Sequence, residues 1–477
     1  MQTKKFTIDT NLIEDEFQHI LYSISESKYT AYLVGGAVRD LIVGNTPNDF
    51  DFVVEKNINE FTKFVSSLIK GKIVKFDNHG MNTFRVVNMR KNMFIDITEF
   101  QNKSDGLIYD LSKRDFTINS MAIKIDKSSD YLQNIVDPFD GINDLNNKVL
   151  RYTTRDTVLD DPLRLIRLVR LSAKLKFNVE RNTLDYFKNN AFMVNQVSTE
   201  RIRDELIEIF SLNNSYQSIL LLAEISLLEH IFPEIKATRN VEQLGLHDKD
   251  VYEHQIAALY FVEKLLDDQI FGEIDKETFA HDKSKFSYIK LATFFHDIGK
   301  PSTKQITKGK ITFISHEDSG AQIIYDIMTR LKFSLKSKNY VQMLVKNHLR
   351  LGHLISLDKE PSDKALRKLN RDCGDLILEM VFLDFADFLS TSQYNFDNYL
   401  DHYNKLSKIY FRLQNISVEF TEKYTNIIDG HQIMEIFGLN EGPEVGRVLT
   451  AIQQEFINSG KITKTKALKL AKNLLEN

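Results

Sequence analysis

The segment LVGGAVRDLIVGNTPNDFDFVV, which begins at Leu33, constrains the fold of this chain more than any other part of the sequence. The apolar run before Gly35 and Gly36 predicts a strand, and a helix is predicted from about Ala37. Two glycines allow a tight turn and a close approach of the backbone to a ligand, and a helix N-terminus offers N–H groups to phosphate. Arg39 lies in the first predicted helical turn, where its guanidinium can contact phosphate. The segment therefore predicts a strand–turn–helix unit that binds a phosphorylated ligand.

Three aspartates on predicted strands add a metal site to this unit. Asp49 and Asp51 are two residues apart on a strand-like run, so both side chains are expected on the same face of the sheet. Asp96, in FIDITEF, lies on a second predicted strand. Acidic oxygen clusters suit Mg²⁺, and three carboxylates can hold two ions for an in-line attack on a nucleotide α-phosphate. Taken alone, a pair of acids of this kind is more often an ordinary solvent-facing strand.

The 477 residues are enough for two to four domains. Residues 1–150 mix helical stretches with the predicted strands AYLVGG, DFDFVVE, IVKF, TFRVVNM and MFIDITEF, whereas almost everything after Asp160 has helical periodicity. The prediction is an α+β multidomain protein. A small α/β head (1–150) is followed by a helical neck (151–240), a helical body rich in His and Asp (241–400) and a helical tail (401–477).

Composition indicates a folded, cytoplasmic protein with no membrane segment. Apolar residues make up 42% of the chain and charged residues 27%. The single cysteine, Cys373, excludes an internal disulfide and suits a reducing compartment. The first residues carry acids and no apolar run, which is unlike a signal peptide. The net charge of −4 does not exclude a nucleic-acid partner, because a local basic groove is sufficient.

The head motifs resemble a known family. GGAVRD followed by DFD resembles the signature of class II tRNA nucleotidyltransferases and bacterial poly(A) polymerases, which belong to the DNA polymerase beta-like superfamily. LSKRDFTINSMA resembles their second motif, with Lys113 in place of the usual first arginine, and DPFDGINDL resembles the end of their head. The resemblance implies that Arg114, with Gly35, Gly36 and Arg39, binds the triphosphate, and that Asp115 binds the ribose.

The start of the predicted neck, DDPLRLIRLVR, is expected to select the incoming base. On one continuous helix, Asp161, Arg164 and Arg167 would share a face through steps of three residues. The segment resembles the family's EDxxR motif, with Asp160 in place of the glutamate. That resemblance implies that Asp161 and Arg164 select CTP and ATP without a nucleic-acid template, and that Arg167 and Arg170 contact the nucleotide. In isolation, the same pattern describes a solvated arginine face.

The body contains an ordered series of possible metal ligands, and imidazoles with carboxylates suit a metal site. The series consists of His254, His296, Asp297, His316, His348 and Asp387. It resembles the HD phosphohydrolase superfamily, which implies four principal ligands to a divalent metal of unassigned identity, His254, His296, Asp297 and Asp387. His316 and His348 are expected as accessory residues. HD folds also serve as scaffolds, so hydrolysis does not follow from the ligands alone.

Together the resemblances imply an enzyme that adds CMP and AMP from CTP and ATP to the 3′ end of tRNA, with Mg²⁺ held by Asp49 and Asp51. The tail segment NIIDGHQIMEIFGLNEGPEVG resembles the region of bacterial relatives that grips tRNA, and no protein partner can be inferred.

Only ITEFQNKSDGLIY separates Asp96 from Asp110. Many CCA-adding relatives have a longer segment here that carries the loop linked to the switch from C to A addition. CC-only addition and poly(A) synthesis therefore stay open, as do a metal phosphohydrolase with a nucleotide-binding head and a non-catalytic RNA-binding module.

Overall fold

The structure is a computed structural model that describes residues 3–5, 10–47, 49–78, 81–90, 93–100, 106–127, 134–243, 249–267, 283–357, 359–391, 396–424 and 427–476. It divides into two compact units. The first comprises Met1–Glu205 with Gln217–Ile231, and the second comprises Leu206–Tyr216 with Phe232–Asn477. The four-part division expected from the sequence stays a prediction.

The first unit is built on an eight-stranded mixed sheet. Its strands are β1 (Thr3–Lys5), β2 (Ala31–Val34), β3 (Phe50–Val54), β4 (Lys72–Asn78), β5 (Met81–Asn88), β6 (Met93–Glu99), β7 (Ala122–Ile125) and β8 (Asn134–Val136). Their order across the sheet is β1-β8-β7-β2-β3-β6-β5-β4. β3 and β6 are parallel, and the other neighbours are antiparallel. This arrangement places β3, which follows the glycine turn, at the centre of the sheet beside β6.

Amphipathic helices cover the sheet because their apolar residues recur at helical spacing. The helices of the head are Asp15–Ser25, Gly36–Ile42, Ile58–Ile69, Gly106–Ser112 and Gly141–Asn146, with a 3-10 turn at Thr117–Asn119. The ring of Phe17 stacks on that of Phe50 with the centroids 3.8 Å apart. Phe61 is fully buried and meets the ring of Phe52 edge-on. These contacts pack the first and the middle residue of β3 against two helices of the head.

Helices predominate after the sheet, as the sequence predicts. They are Thr157–Asp160, Arg164–Leu175, Arg181–Asn189, Thr199–Ser211, Ser215–Glu224 and Leu228–Ile231, with 3-10 turns at Ala191–Gln196 and Pro233–Thr238. One short parallel pair interrupts them, formed by β9 (Val149–Leu150) and β10 (Asn178–Val179).

The second unit is also mainly helical. Its further helices are Val251–Asp267, Lys283–Phe295, Lys300–Thr303, His316–Arg330, Leu335–Asn347, Leu349–Ile355, Asp363–Cys373, Ile377–Leu389, Phe396–Tyr424, Gly430–Phe437, Pro443–Ser459 and Lys464–Leu475. The last three share an apolar core that includes Ile433, Val448 and Ile452.

The predicted fold class, a mixed α/β head followed by a helical body, is confirmed. The body also contains a hairpin that was not predicted, formed by β11 (Lys304–Thr307) and β12 (Lys310–Phe313). Among the described helices, none has the length and apolar character needed to span a membrane.

Candidate active site and metal centre

The three acids of the head meet at the parallel pair of strands. Asp51 on β3 stands directly opposite Asp96 on β6 in the strand register. Asp49 is exposed and lies one residue before β3 begins at Phe50, so it is not on the strand as the sequence predicted. The pairing of Asp51 with Asp96 is non-local, because it is set by the register of two parallel strands that are far apart in the sequence.

The electrostatics of this cluster favour a cation. Burial raises the pKa of Asp51 to about 6; the charges of Asp96 and Asp49 add to the increase, and Arg114 opposes it. Arg85 on β5 holds Asp96 through two hydrogen bonds of 2.7 Å each. The cluster thus concentrates more negative charge than one arginine neutralises, and its oxygen donors are those that Mg²⁺ prefers. Arg85 has no counterpart among the predicted site residues, because its pairing with Asp96 crosses between strands.

The glycine turn brings the backbone against these charged groups. Gly35 has φ of 76°, in the left-handed region that favours glycine. A Cβ at this position would lie 3.0 Å from Nη1 of Arg114 and 3.2 Å from Oδ2 of Asp51. The helix then begins at Gly36, one residue before the predicted start. Gly35 is therefore required both by its conformation and by the space that Arg114 and Asp51 occupy.

A cavity of about 240 Å³ opens beside Asp51 and the turn. Its lining is Gly35, Gly36, Asp51, Lys113, Arg114, Asp115, Asn119, Asp161, Arg164 and Arg167. Seven of the nine nucleotide-binding residues predicted from the sequence are in this set. The Nε of Arg114 is buried and has no hydrogen-bond partner within the described residues. A buried donor of this kind can be satisfied by an anionic ligand in the cavity.

Arg39 lies in the first turn of the helix, as predicted, and is bound by neighbouring side chains of the head. Its guanidinium is buried, where it donates to Oδ1 of Asn119 at 2.7 Å and to Oδ1 of Asp40 at 2.8 Å. Asn119 in turn donates to Oδ1 of Asp115 at 2.9 Å. These contacts give Arg39 a supporting role, because they tie its helix to the 3-10 turn that carries Asn119. The expected triphosphate contact stays a prediction.

Asp115 continues the same chain of polar contacts into the following helix. Arg167 donates to its Oδ2 from two nitrogens, at 2.7 and 3.0 Å. Burial by itself would raise the pKa of Asp115, but the charge of Arg167 and hydrogen bonds from Asn119 and Arg167 hold it well below its usual range. The Nε of Arg170 donates to Oε2 of Glu205 at 2.6 Å. Arg170 is thus bound to Glu205, which the sequence reasoning did not identify as a site residue.

Asp161 and Arg164 are not on one continuous helix, which corrects the prediction. Asp161 follows the short helix Thr157–Asp160 and has an extended backbone, with φ of −153° and ψ of 101°. The next helix begins at Arg164. Pro162 is the cause, since the residue before a proline is disfavoured in the helical conformation. The sequence contained this signal.

Both residues nevertheless border the cavity, and each is held by a specific partner. Oδ2 of Asp161 lies 2.8 Å from Nη2 of Arg201, and its Oδ1 accepts from the Leu163 N–H. Arg164 donates to the carbonyl oxygens of Thr157, at 3.1 Å, and Lys113. These contacts orient a carboxylate and a guanidinium toward one space from two separate backbone segments. Arg201, on the helix Thr199–Ser211, was not among the site residues predicted from the sequence.

The second unit brings the four predicted metal ligands and the two predicted accessory histidines into one cluster. Nε2 of His254 lies 2.9 Å from Oδ1 of Asp387 and 3.3 Å from Oδ2 of Asp297. Nε2 of His296 lies 3.3 Å from the same Asp297 oxygen. On the other side, Oδ1 of Asp297 lies 3.2 Å from Nε2 of His316 and 3.7 Å from Nε2 of His348.

Asp297 therefore belongs to two ligand groups. One is His254, His296 and Asp297; the other is Asp297, His316 and His348, and the ligand atoms within each lie within 4.8 Å of one another. The two oxygens of Asp297 face different groups. The accessory histidines of the prediction thus form a group of their own around the shared carboxylate.

The outward ring nitrogens orient the four histidines. Nδ1 of His296, His316 and His348 lies 2.7–2.8 Å from the backbone carbonyl oxygen three residues earlier. Nδ1 of His254 instead lies 2.9 Å from Oγ of Ser390, which donates to the Asp387 carbonyl. A ring that donates from Nδ1 keeps the Nε2 lone pair for a metal. The donor set and its buried surroundings fit a divalent cation.

The charges within the cluster also favour a divalent cation. Burial alone would lower the pKa of His296, but the carboxylates of Asp297 and Asp387 raise it to about 10. Burial and the charge of His296 lower the pKa of His348 to about 3. Lys300, which the sequence reasoning did not name, places its Nζ 2.6 Å from Oδ2 of Asp297. In this structure the negative charge of Asp297 and Asp387 is neutralised by protonated His296 and by Lys300. Divalent metal ions can supply the same positive charge.

Three comparisons bear on these two sites. Residues 31–151 match the poly A polymerase head domain, residues 176–238 the probable RNA and SrmB-binding site of polymerase A, and residues 251–391 the HD domain. An A-adding tRNA nucleotidyltransferase of Deinococcus radiodurans is 26% identical over 437 residues, which cover 89% of this chain and 91% of the relative. A CC-adding tRNA nucleotidyltransferase of Thermus thermophilus is 27% identical over 436 residues, 88% of each chain.

Among solved structures, a CCA-adding enzyme in complex with ATP covers 100% of this chain and 99% of its own, with a TM-score of 0.63 and 21% identity. That likeness confirms the fold. The three matched domains follow one another in the order that the sequence motifs predicted. The chain therefore matches a poly A polymerase head domain, a probable RNA-binding region of polymerase A and an HD domain in that order, and it is similar to tRNA nucleotidyltransferases along nearly its whole length.

Proposed function

We propose that this protein is a template-independent tRNA nucleotidyltransferase that transfers CMP and AMP from CTP and ATP to the tRNA 3′ end and releases pyrophosphate. The observation that carries the proposal is the arrangement of Asp51 opposite Asp96, next to a cavity with a glycine turn and Arg114 on one side and Asp161 with Arg164 on the other. Carboxylates for cations, a donor for phosphates and a donor–acceptor pair for a base thus surround one space.

Different residues of the site would bind the metal, bind the triphosphate and select the base. Asp49, Asp51 and Asp96 would hold Mg²⁺, which when bound activates the attacking 3′ hydroxyl and neutralises developing charge on the phosphate. Gly35 lets the backbone approach the triphosphate, and the buried donor of Arg114 satisfies a phosphate oxygen. Asp161 and Arg164 read the edge of the base. Arg39, Asn119, Asp115 and Arg167 hold these groups in place through the contacts described above.

The tail that the enzyme adds, CCA, CC or a run of A, distinguishes the three activities that stay open. Full CCA addition is the leading proposal, and two relatives that align with nearly the whole chain are a CC-adding and an A-adding enzyme. The short segment between Asp96 and Asp110 keeps CC-only addition open. The decisive experiment incubates the full chain with tRNA that lacks its CCA end and with each labelled nucleotide, and then sequences the added tail. A CCA tail supports the proposal, whereas CC or a run of A assigns one of the alternatives.

The same assay tests the metal assignment. Asp51→Ala and Asp49→Ala should each abolish addition, whereas Asp185→Asn, an exposed carboxylate in a helix of the same unit, should leave it unchanged. Activity of the two alanine variants within about tenfold of wild type, equivalent to roughly 1.4 kcal/mol of barrier, would contradict the assignment.

A second activity is favoured by the cluster around Asp297. We propose that the HD domain binds two divalent ions that share Asp297, and that it hydrolyses phosphoesters. The four inward-facing imidazoles and the split use of the Asp297 oxygens support this proposal. Paired ions can hold the attacking and leaving oxygens of a phosphoester hydrolysis.

Metal stoichiometry tests the shared carboxylate directly. After equilibration with Mn²⁺, the wild-type chain should retain two more ions than Asp297→Ala, and His348→Ala should retain one more, because all three proteins keep the metal site of the head. A metal titration by elemental analysis after dialysis gives these numbers without reference to turnover. Equal metal content in the wild type and the His348 variant would rule out the second ion. Hydrolysis of p-nitrophenyl phosphate and of a nucleoside 2′,3′-cyclic phosphate then tests the activity.

A further inference from the structure

The hairpin of β11 and β12, residues 304–313, carries an unusual concentration of positive charge beside the Asp297 cluster. Between Asp297 and Glu317 the sequence has four lysines and no acidic residue, in a chain whose net charge is −4. Lys304, Lys308 and Lys310 belong to the hairpin, and none of them forms an ion pair with any residue of the described ranges. By contrast, Lys346 in the same domain is paired with Asp318 at 3.2 Å. The hairpin is therefore a basic surface that its own fold leaves without counter-charge.

The residues that flank the hairpin on both sides contact the Asp297 cluster. At its start, the helix Lys300–Thr303 runs directly into β11, and Lys300 contacts Asp297 at 2.6 Å. At its end, the carbonyl oxygen of Phe313 on β12 lies 2.8 Å from Nδ1 of the ligand His316. Lys304 pairs with Phe313 in the strand register. A chain that binds along this hairpin therefore lies next to the ligands of the HD domain.

The hairpin is also built to keep its shape. Its strands are joined by Lys308 and Gly309, with φ of 51° and 77°. A two-residue loop in which both residues have positive φ forms a tight turn, and the twist of this turn matches the twist of the flanking strands. Apolar side chains are exposed along and just beyond it, with Ile306 67% and Ile314 68% exposed. The strand register places Lys304 and Ile306 on one face of the hairpin and Lys310 on the other, with Lys308 in the turn between the strands. The hairpin thus carries cationic and apolar groups on one rigid element.

We infer that residues 304–313 bind single-stranded nucleic acid and guide its backbone to the HD metal cluster. Lysines without counter-charge neutralise phosphates, and exposed apolar side chains contact bases only where the bases are unpaired. A duplex would present its phosphates but not its base faces. The inference goes beyond the proposed function, because binding at the hairpin depends neither on nucleotide addition at the head nor on hydrolysis at the HD site.

Crosslinking locates the contact in the full chain, which has other surfaces able to bind RNA. Ile306→Cys and Leu335→Cys introduce one exposed thiol each, since Ile306 is 67% exposed on the hairpin, Leu335 is 62% exposed on a helix of the same domain, and the native Cys373 is buried. Each variant is labelled with a benzophenone and irradiated with an oligouridine of about twelve nucleotides. The label at position 306 should crosslink to the RNA at least tenfold more than the label at position 335. Equal crosslinking from both positions overturns the inference.

Charge variants test the lysines. Lys304→Gln, Lys308→Gln and Lys310→Gln are combined in one chain, and Lys336→Gln, Lys364→Gln and Lys368→Gln form the matched control. The control lysines are exposed and unpaired within the described residues of the same domain. Loss of three phosphate contacts should reduce the slope of log K against log salt by roughly 2. Crosslinking from position 306 should fall about tenfold in the hairpin background and remain unchanged in the control background.

Two other outcomes would overturn the inference. An equal loss in both triple variants would show that net charge, and not the hairpin, attracts the RNA. Competition by an RNA duplex or by UMP as effective as that by unlabelled oligouridine would assign the surface to phosphate groups alone. Circular dichroism of each variant confirms that the domain remains folded in these comparisons.

Discussion

Asp115 and Arg167 form a two-point ion pair across 52 residues of sequence, with N–O distances of 2.7 and 3.0 Å. Asp115 precedes the 3-10 turn of the head, and Arg167 lies one turn into the helix Arg164–Leu175. Asn119 adds a hydrogen bond from the head side. The pair therefore fixes the helix that begins at Arg164, the residue proposed to read the base, relative to the sheet that carries Asp51.

This pair should make the stability of the head depend on pH in acid. The pKa of Asp115 is lowered in the folded protein. Its carboxylate thus contributes stability that is present above its unfolded pKa of about 3.9 and is lost as the pH falls toward the folded value. Asp115→Asn should destabilise the head by roughly 2 kcal/mol at neutral pH. The variant should also lose less further stability than wild type between about pH 5 and pH 3.

The measurement is the urea midpoint for unfolding of the first unit, followed by hydrogen exchange in the helix Arg164–Leu175 at several pH values. Asp185→Asn removes an exposed carboxylate and should retain the steep acid dependence of the wild type. If the Asp115 and Asp185 variants have the same dependence on pH, the ion pair does not carry the effect.

The sequence predicted five of the eight strands of the head, β2 to β6, because each of these has an alternating or continuous apolar pattern of local origin, and it missed β1, β7 and β8. It also identified Asp51 and Asp96 separately. Their neighbouring positions depend on the parallel pairing of β3 with β6, which no local pattern encodes. The contact between Arg85 and Asp96 was missed for the same reason, since it joins two strands through the sheet register.

Two local signals were present but were not used. Pro162 interrupts the helix that was predicted to hold Asp161 and Arg164 together. The sequence KQITKGKITF alternates β-branched and polar residues around a Lys-Gly turn, which is typical of a hairpin. In contrast, the spacing of His254, His296, Asp297, His316, His348 and Asp387 could not reveal that Asp297 is shared by two ligand groups. That sharing depends on how helices pack around one carboxylate.

Ser390 should control metal affinity without touching the metal. It is the hydrogen-bond partner of Nδ1 of His254, whereas the other three cluster histidines use backbone carbonyls that a substitution does not remove. Ser390→Ala should weaken divalent metal binding by about 10- to 100-fold, as the loss of such supporting contacts does elsewhere. Ser390→Thr keeps the hydroxyl and should restore most of the affinity.

Competition between the protein and a chelator for Co²⁺, read from the cobalt absorption spectrum, gives the affinity. Ser287→Ala serves as the matched control, because Ser287 is equally buried and its hydroxyl donates to the Ile207 carbonyl. An affinity of the Ser390→Ala variant equal to that of this control would show that Ser390 does not orient His254.

The two sites should work independently. The combined His296→Ala and Asp297→Ala variant should abolish metal-dependent phosphoester hydrolysis and leave nucleotide addition within about threefold of wild type, a barrier change under roughly 0.7 kcal/mol. The reason is that these ligands belong to a different compact unit from Asp51. Addition and hydrolysis are measured on the same preparation, with tRNA binding as a control for folding. Collapse of addition in a variant that still folds and binds tRNA would contradict separate sites.

The choice of base should depend on Arg164 and Asp161 more strongly than the rate of transfer does. Both residues border the cavity, but they project from two backbone segments separated by Pro162. A cytosine or adenine edge offers an amino donor to a carboxylate and ring acceptors to a guanidinium. Guanine and uracil place a carbonyl where the amino group should be, which leaves the carboxylate unpaired. Such a mismatch costs on the order of 1–3 kcal/mol, equivalent to roughly ten- to hundredfold rejection.

Arg164→Ala should therefore lower discrimination against UTP and GTP while transfer continues, because Asp51 and Arg114 remain in place. Arg201→Ala offers a second test that leaves the base-reading pair intact. Arg201 holds Asp161 at 2.8 Å, so its loss should relax selectivity less than the loss of Arg164 does. Single-turnover addition of each of the four nucleotides to the same tRNA gives the ratios. If a folded, active Arg164→Ala variant kept wild-type selectivity, this residue would not read the base, and its contacts with the Thr157 and Lys113 carbonyls would have only a structural role.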